Sequence, residues 1–167
     1  MSSAVLGLGA NLGDALAALQ GAVDALGGTQ GITVVCSSAV FATEPVGGPE
    51  QPTYVNAVVL IETQLAPVQL LERVNEIEAQ WHRTREIRWG PRTLDIDIIS
   101  FGDVVSTDER LTLPHPRAAE RGFVLVPWLD ADADAELLGV PVRTLVQLVD
   151  TSGVQQLDPP VILQVPA

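Results

Sequence analysis

The sequence predicts an α+β domain built on a split βαβ, ferredoxin-like sheet. Apolar residues switch between strand and helix periodicity in the order strand, helix, strand, strand, helix, strand. Both helical stretches carry boundary signals: Gly27 and Gly28 follow the first, and Pro67 opens the second. Short helical stretches come after the last strand and are expected to cover the free sheet face or an edge.

Residues 4–9 read as a short buried strand. Asn11 can cap the helix that follows, and Asp14 suits the positive end of its dipole. Leu12, Leu16, Leu19, Val23 and Leu26 recur at helical spacing. Residues 32–41, rich in Val with Ser and Thr interleaved, form the next strand. Three prolines and two glycines make residues 44–52 a loop. A strand over 54–62 precedes the second helix, which runs to about Arg83 and turns Leu70, Leu71, Val74 and Ile77 inward. Residues 93–101 form a further strand, and Gly102-Asp103 a turn. Short helices are expected around 117–129 and over 142–149, ahead of a Pro-rich tail from about 151. With no repeat and no linker, residues 1–167 are expected to be a single domain.

Composition narrows the function. A chain that is 47% hydrophobic and 18% charged is that of a globular protein with a real core. Its formal charge of -12 argues against sequence-independent binding to nucleic acid or to an anionic membrane. Lysine is absent, and seven of the nine arginines fall between Arg83 and Arg121. A local cationic stretch on an acidic protein fits a pocket for a small polyanion; surface arginines paired with glutamates are the alternative. Cys36 is the only cysteine and lies in an apolar strand, so it suits a reducing compartment. The first residues lack the pattern of a signal peptide, and no run is long and apolar enough to span a membrane. A cytoplasmic monomer acting on small molecules is expected.

The richest stretch is Arg88-Trp89-Gly90-Pro91-Arg92-Thr93-Leu94-Asp95-Ile96-Asp97-Ile98-Ile99. Side chains alternate along a strand, so Asp95 and Asp97 share one face while Leu94, Ile96 and Ile98 enter a core. Two carboxylates on one rigid face suit a hard cation such as Mg2+. Arg83, Arg85, Arg88 and Arg92 lie just upstream, and guanidinium groups recognise phosphate oxygens bidentately. Solvated carboxylates on an exposed sheet face remain the competing explanation of the Asp pair taken alone. His115 is held between Pro114 and Pro116, with Arg117 and Arg121 one helical turn apart beyond it. Tyr54 and Asn56 share a strand face and could hold a flat heterocycle; a half-buried Tyr beside a surface Asn fits those two residues equally well. The run Gly7-Leu8-Gly9-Ala10-Asn11-Leu12-Gly13 has the wrong spacing for a dinucleotide loop and is expected to be a strand-to-helix turn that needs small residues.

Together these segments resemble the 6-hydroxymethyl-7,8-dihydropterin pyrophosphokinases of folate biosynthesis. The resemblance runs from about residue 4 to 137. The stretch from Arg88 to Asp97 is a nearly complete match to the family signature. Gln51-Pro52-Thr53-Tyr54-Val55-Asn56-Ala57, Leu113-Pro114-His115-Pro116 and Arg121-Gly122-Phe123 occur in the family's order. The resemblance implies a ferredoxin-like fold and transfer of the β,γ-pyrophosphoryl group of ATP to the pterin hydroxymethyl oxygen, releasing AMP. It implies two Mg2+ ions on Asp95 and Asp97, and phosphate contacts from Arg83, Arg92, His115 and Arg121. Asn75, Glu78 and Ile98 would help form the nucleotide site, and Trp89 would close over both substrates. Tyr54 and Phe123 would sandwich the pterin, while Asn56 and the loop Thr43-Glu44-Pro45-Val46 would read its hydrogen-bonding edge. Arg83, Arg92, Asp95 and Asp97 would carry the catalysis. Pro116 stands where the family has an aromatic residue, and Glu86 where it has a base. Two other classes compete: a metal-dependent nucleotidyl or phosphoryl transferase that ignores pterin, and a non-catalytic ferredoxin-like module that binds a small regulator.

Overall fold

The computed structural model describes residues 1–11, 15–43, 54–84 and 94–166. The first half alternates β1 (Ser2–Asn11), α1 (Ala15–Gly27), β2 (Ile32–Ser37), β3 (Phe41–Thr43), β4 (Tyr54–Thr63), α2 (Pro67–Thr84) and β5 (Asp95–Phe101). The second half adds the hairpin β6 (Ser106–Asp108) and β7 (Leu111–Leu113), a 3-10 turn (Ala118–Glu120) and α3 (Gly122–Ala131). The hairpin β8 (Glu136–Leu137) and β9 (Val140–Pro141), α4 (Val142–Val146) and β10 (Val154–Gln156) complete it.

The main sheet runs β10-β3-β4-β1-β5, with β2 also paired to β4, and every pairing is antiparallel. β1 and β2 therefore run parallel with β4 between them, which is the split βαβ arrangement of an α+β ferredoxin-like fold. Alternation along the strands divides two cores. Leu6 and Leu8 of β1, Val59 and Ile61 of β4, and Ile96 and Ile98 of β5 meet Leu19, Val23 and Leu26 of α1 and Leu70, Val74 and Ile77 of α2. On the other face Val58 and Ile99 meet Val124, Leu125 and Trp128 of α3 and Val142 at the start of α4. Each fully buried Leu or Val contributes about 1.5–3 kcal/mol by leaving water. Among the described residues no helix is long and apolar enough to cross a membrane.

Several boundaries differ from expectation. β1 extends to Asn11, which pairs with Tyr54, so Asn11 is a strand residue and not a helix cap. Gly7 and Gly9 lie inside β1, in keeping with the strand read over 4–9, and Ala10 and Asn11 prolong that strand where a turn was expected. Leu16 is 41% exposed, and the inner face of α1 is filled by Ala18 and Ala22 between its larger residues. The predicted strand over 32–41 is two strands. Between them the Val58 N–H donates to Ser38 Oγ (2.9 Å), while the Ser38 N–H donates to Val58 O (2.8 Å). The Ala39 N–H turns away to Asp130 Oδ2 (2.8 Å), and the chain re-enters the sheet one residue out of step. A side-chain hydroxyl standing in for backbone breaks the ladder without a Gly or Pro. The final helix stops at Val146, and the tail contains the unforeseen strand β10.

Candidate active site

Past the N-terminus of α3 the second sheet face opens into a cavity of about 450 Å³. Its floor follows from register. Gly9 of β1 pairs with Asn56 on one side and Asp95 on the other, and Gly7 pairs with Val58 and Asp97. The two glycines leave a trough between the polar residues of β4 and the carboxylates of β5. A Cβ at Gly9 would lie 3.0 Å from Asn56 Oδ1 and 3.8 Å from the Tyr54 ring, so only glycine leaves this floor clear. Thr43, Tyr54, Asn56, Asp95, Asp97, Arg121 and Phe123 all line the cavity. The structure thus gathers most of the described residues singled out in sequence. Arg117 lines it as well. The sequence pattern noted Arg117 only as a neighbour of Arg121; nothing local marks which arginines face inward.

Asn56 is 6% exposed and its Nδ2 donates to Thr43 Oγ1 (2.9 Å), which fixes the amide against β3. Opposite, Arg121 caps the N-terminus of α3: its carbonyl accepts the N–H groups of Val124 and Leu125, both at 3.0 Å. Its guanidinium lies 5.5 Å from the centre of the Phe123 ring, close enough for a cation–π contact that orients both side chains. Tyr54 and Phe123 are thus two aromatic groups on different walls of one cavity. Arg117 meets Glu120 only at 4.0 Å with both side chains largely exposed, a contact too weak to hold it.

His115 lies within electrostatic reach of Asp97. Its backbone N–H donates to Ile99 O (2.8 Å), and its ring Nδ1 accepts the Arg117 backbone N–H (3.2 Å), which leaves Nε2 as the protonated nitrogen of the neutral ring. Burial pushes the imidazole pKa down; Asp97 pulls it up, while Arg121 and Arg117 push it further down. The net direction is downward, so the ring is neutral near pH 7 and can donate one hydrogen bond.

Of the nucleotide-side candidates, Glu78 meets the outer edge of β5. The Ile96 N–H donates to Glu78 Oε2 (2.8 Å), so the carboxylate of α2 holds that strand edge. Asn75 is exposed one turn earlier on α2. The Ile98 side chain is buried among the α1 and α2 residues, on the face away from Asp95 and Asp97, so only its backbone is available to a ligand. Arg83 falls in the last turn of α2. Glu44, Pro45, Val46, Trp89 and Arg92 lie outside the described residues.

The sequence matches the family described as 7,8-dihydro-6-hydroxymethylpterin-pyrophosphokinase over residues 5–133. The chain belongs to this family. A 2-amino-4-hydroxy-6-hydroxymethyldihydropteridine pyrophosphokinase of Methylorubrum extorquens is 45% identical over 158 residues, covering 95% of this chain and 100% of that protein. The enzyme of the same name from Haemophilus influenzae is 39% identical, covering 82% of this chain and 86% of its own. Among solved structures, wild-type Plasmodium falciparum HPPK-DHPS superposes with a TM-score of 0.71 at 14% identity, over 88% of this chain. This chain spans 44% of that longer one, and the likeness speaks to the fold alone. The pyrophosphokinase family thus accounts for both the sheet topology and the motif order.

Proposed function

We propose that this chain is a pyrophosphokinase of folate biosynthesis, a single cytoplasmic, monomeric domain that uses ATP to pyrophosphorylate 6-hydroxymethyl-7,8-dihydropterin. The supporting observation is the cavity in which Asp95 and Asp97 share a glycine-floored trough with Tyr54, Asn56 and Phe123. In the reaction the hydroxymethyl oxygen attacks the β-phosphorus of ATP. The bond from that phosphorus to the oxygen bridging it to the α-phosphate breaks, AMP leaves with that oxygen, and the hydroxyl proton passes to water.

The residues present fit Mg2+. Asp95 and Asp97 supply hard oxygen donors on one face, with the Asp97 side chain exposed to the cavity. Among the described residues no group of three or more His, Cys, Asp or Glu is gathered for a metal. A cation held there would complete its shell with phosphate oxygens and water, as Mg2+ commonly does. Bound Mg2+, expected as two ions, would neutralise charge on the polyphosphate. The protein's own part is positioning. Tyr54 and Phe123 would hold the pterin ring, and Asn56 and Thr43 would present hydrogen-bonding groups to its edge. Arg121, with His115 donating through Nε2, would bind phosphate oxygens, and Arg83 and Arg92 would join them. Glu78, Asn75 and the Ile98 backbone would seat the nucleoside, and Trp89 would cover both substrates.

The test is incubation with ATP, Mg2+ and 6-hydroxymethyl-7,8-dihydropterin. AMP and pyrophosphorylated pterin should appear in equal amounts. AMP released at the same rate without pterin, or none in its presence, would overturn this function.

A further inference from the structure

The segment 150–156 lies beyond the residues matched by the family, yet it touches both walls of the cavity. On one side β10 pairs with β3: Val154 faces Thr43, Gln155 faces Ala42 and Gln156 faces Phe41. Thr43 is the residue whose hydroxyl holds the Asn56 amide. On the other side the segment lies against Gly122, between Arg121 and Phe123. A Cβ at Gly122 would lie 3.0 Å from Asp150 O, 3.4 Å from Thr151 Cγ2 and 3.6 Å from Val154 Cγ2.

The segment is itself firmly held. Asp150 Oδ1 accepts the Ser152 N–H (2.9 Å) and the Ser152 hydroxyl (2.7 Å), and the Val154 N–H donates to Thr151 O (3.0 Å). Downstream, the Leu157 N–H donates to Val40 O (3.1 Å), and the Val40 N–H donates to Val161 O (2.8 Å). Gln20 of α1 then makes two hydrogen bonds to the Gln164 backbone, at 2.9 and 2.8 Å. Leu163 is buried in the α1 and α2 core. The tail is thus anchored on the opposite face of the sheet from the cavity.

We propose that residues 150–156 are a positioning brace for the pterin half of the site. Paired to β3 and seated on the first residue of α3, the brace sets the separation between the Thr43–Asn56 wall and the Arg121–Phe123 wall. A flat ring held between aromatic groups tolerates little change in their spacing. None of the brace residues lines the cavity, so Val154 acts through Thr43 and Gly122, and Gln155 through Ala42 of β3, and not by contact. The proposal rests on the pyrophosphokinase function of the same cavity.

Gln155→Pro removes an N–H from the middle of the β10–β3 ladder, whereas Gln155→Ala keeps it and changes only an exposed side chain. The readouts are Kd for 6-hydroxymethylpterin, Kd for a non-hydrolysable ATP analogue with Mg2+, and the Asn56 side-chain amide signals by NMR. Gln155→Pro should weaken pterin binding by about tenfold and shift the Asn56 signals, as expected for loss of one ladder bond near the site, while the ATP analogue binds as before. Gln155→Ala should match wild type. Unchanged pterin affinity in folded Gln155→Pro, or equal losses for both ligands, would overturn the brace. Should the proline variant fail to fold, Val154→Ala decides: a selective loss of roughly threefold supports the brace, and wild-type binding overturns it. A wild-type protein that binds no pterin sinks the functional assignment itself, and this is seen before any variant is compared.

Discussion

Gly9 of β1 lies in register between Asn56 of β4 and Asp95 of β5, so the two polar walls of the cavity face each other across a residue with no side chain. This explains why two glycines occur in alternation on an inner strand of the sheet. Glycine weakens a strand interior, and its presence there commonly marks the close approach of a ligand or another chain. Gly9→Ala should therefore fold. Its methyl would press on Asn56 Oδ1 at 3.0 Å and on the space where the pterin would lie. Pterin affinity should fall about tenfold, a loss of roughly 1.4 kcal/mol, with little change in thermal stability. Titration calorimetry on the folded variant checks this, and wild-type affinity would mean that the trough is not the pterin floor.

Removing either carboxylate should separate activity from stability. Asp97 projects into the cavity and no core contact depends on it, so Asp97→Ala should unfold at or slightly above the wild-type temperature. Turnover should nevertheless fall by roughly a hundredfold or more, the usual loss when one group that stabilises transition-state charge is deleted. Asp95→Ala should behave alike in turnover. Rates near wild type in either folded variant would exclude the pair as the metal site.

The sequence pattern exposed what local periodicity controls. The alternation of Leu94, Ile96 and Ile98 with Asp95 and Asp97, and the inward stripe of Leu70, Val74 and Ile77, reappear as read. Features that depend on a distant partner did not show. The pattern put Gly7 and Gly9 in a strand but did not show why they are glycine, because that role appears only when Asn56 and Asp95 flank Gly9. The break at Ser38 depends on the Val58 amide from another strand. β10 is three residues long and becomes a strand only by pairing with β3. Leu16 keeps helical spacing but sits on the edge of the stripe, where short Ala18 and Ala22 let α1 approach the sheet instead.

Glu78 links the helix layer to the edge of the strand that bears both aspartates. With the Ile96 N–H donating to it at 2.8 Å, Glu78→Ala should leave that donor without a protein acceptor. The cost should be about 1.5–3 kcal/mol, the range for a hydrogen bond to a charged group. Glu78→Gln keeps a carbonyl oxygen in place and should recover most of it. Amide hydrogen exchange at Ile96 is the direct measurement. Faster exchange in the Ala variant alone is expected; unchanged protection there would show that the edge is held by other contacts.

The charge of Asp97 acts on the His115 ring. Burial holds its pKa below the ordinary imidazole value of 6.5, with Asp97 opposing and Arg121 and Arg117 reinforcing that shift. A folded-state value below the unfolded one means that the folded protein takes up this proton less readily. The resulting stability is fully present above about pH 6.5 and is lost as pH falls through the lowered folded value. In metal-free protein, the His115 ring signals should titrate below those of an unstructured His. Asp97→Asn removes the one named group that raises the value, so it should move the titration lower still, whereas Arg121→Gln should move it up. NMR titration of the three proteins reads both directions at once. An upward shift in Asp97→Asn would show that the carboxylate does not act on the ring, and would separate His115 from the charge balance of the cavity.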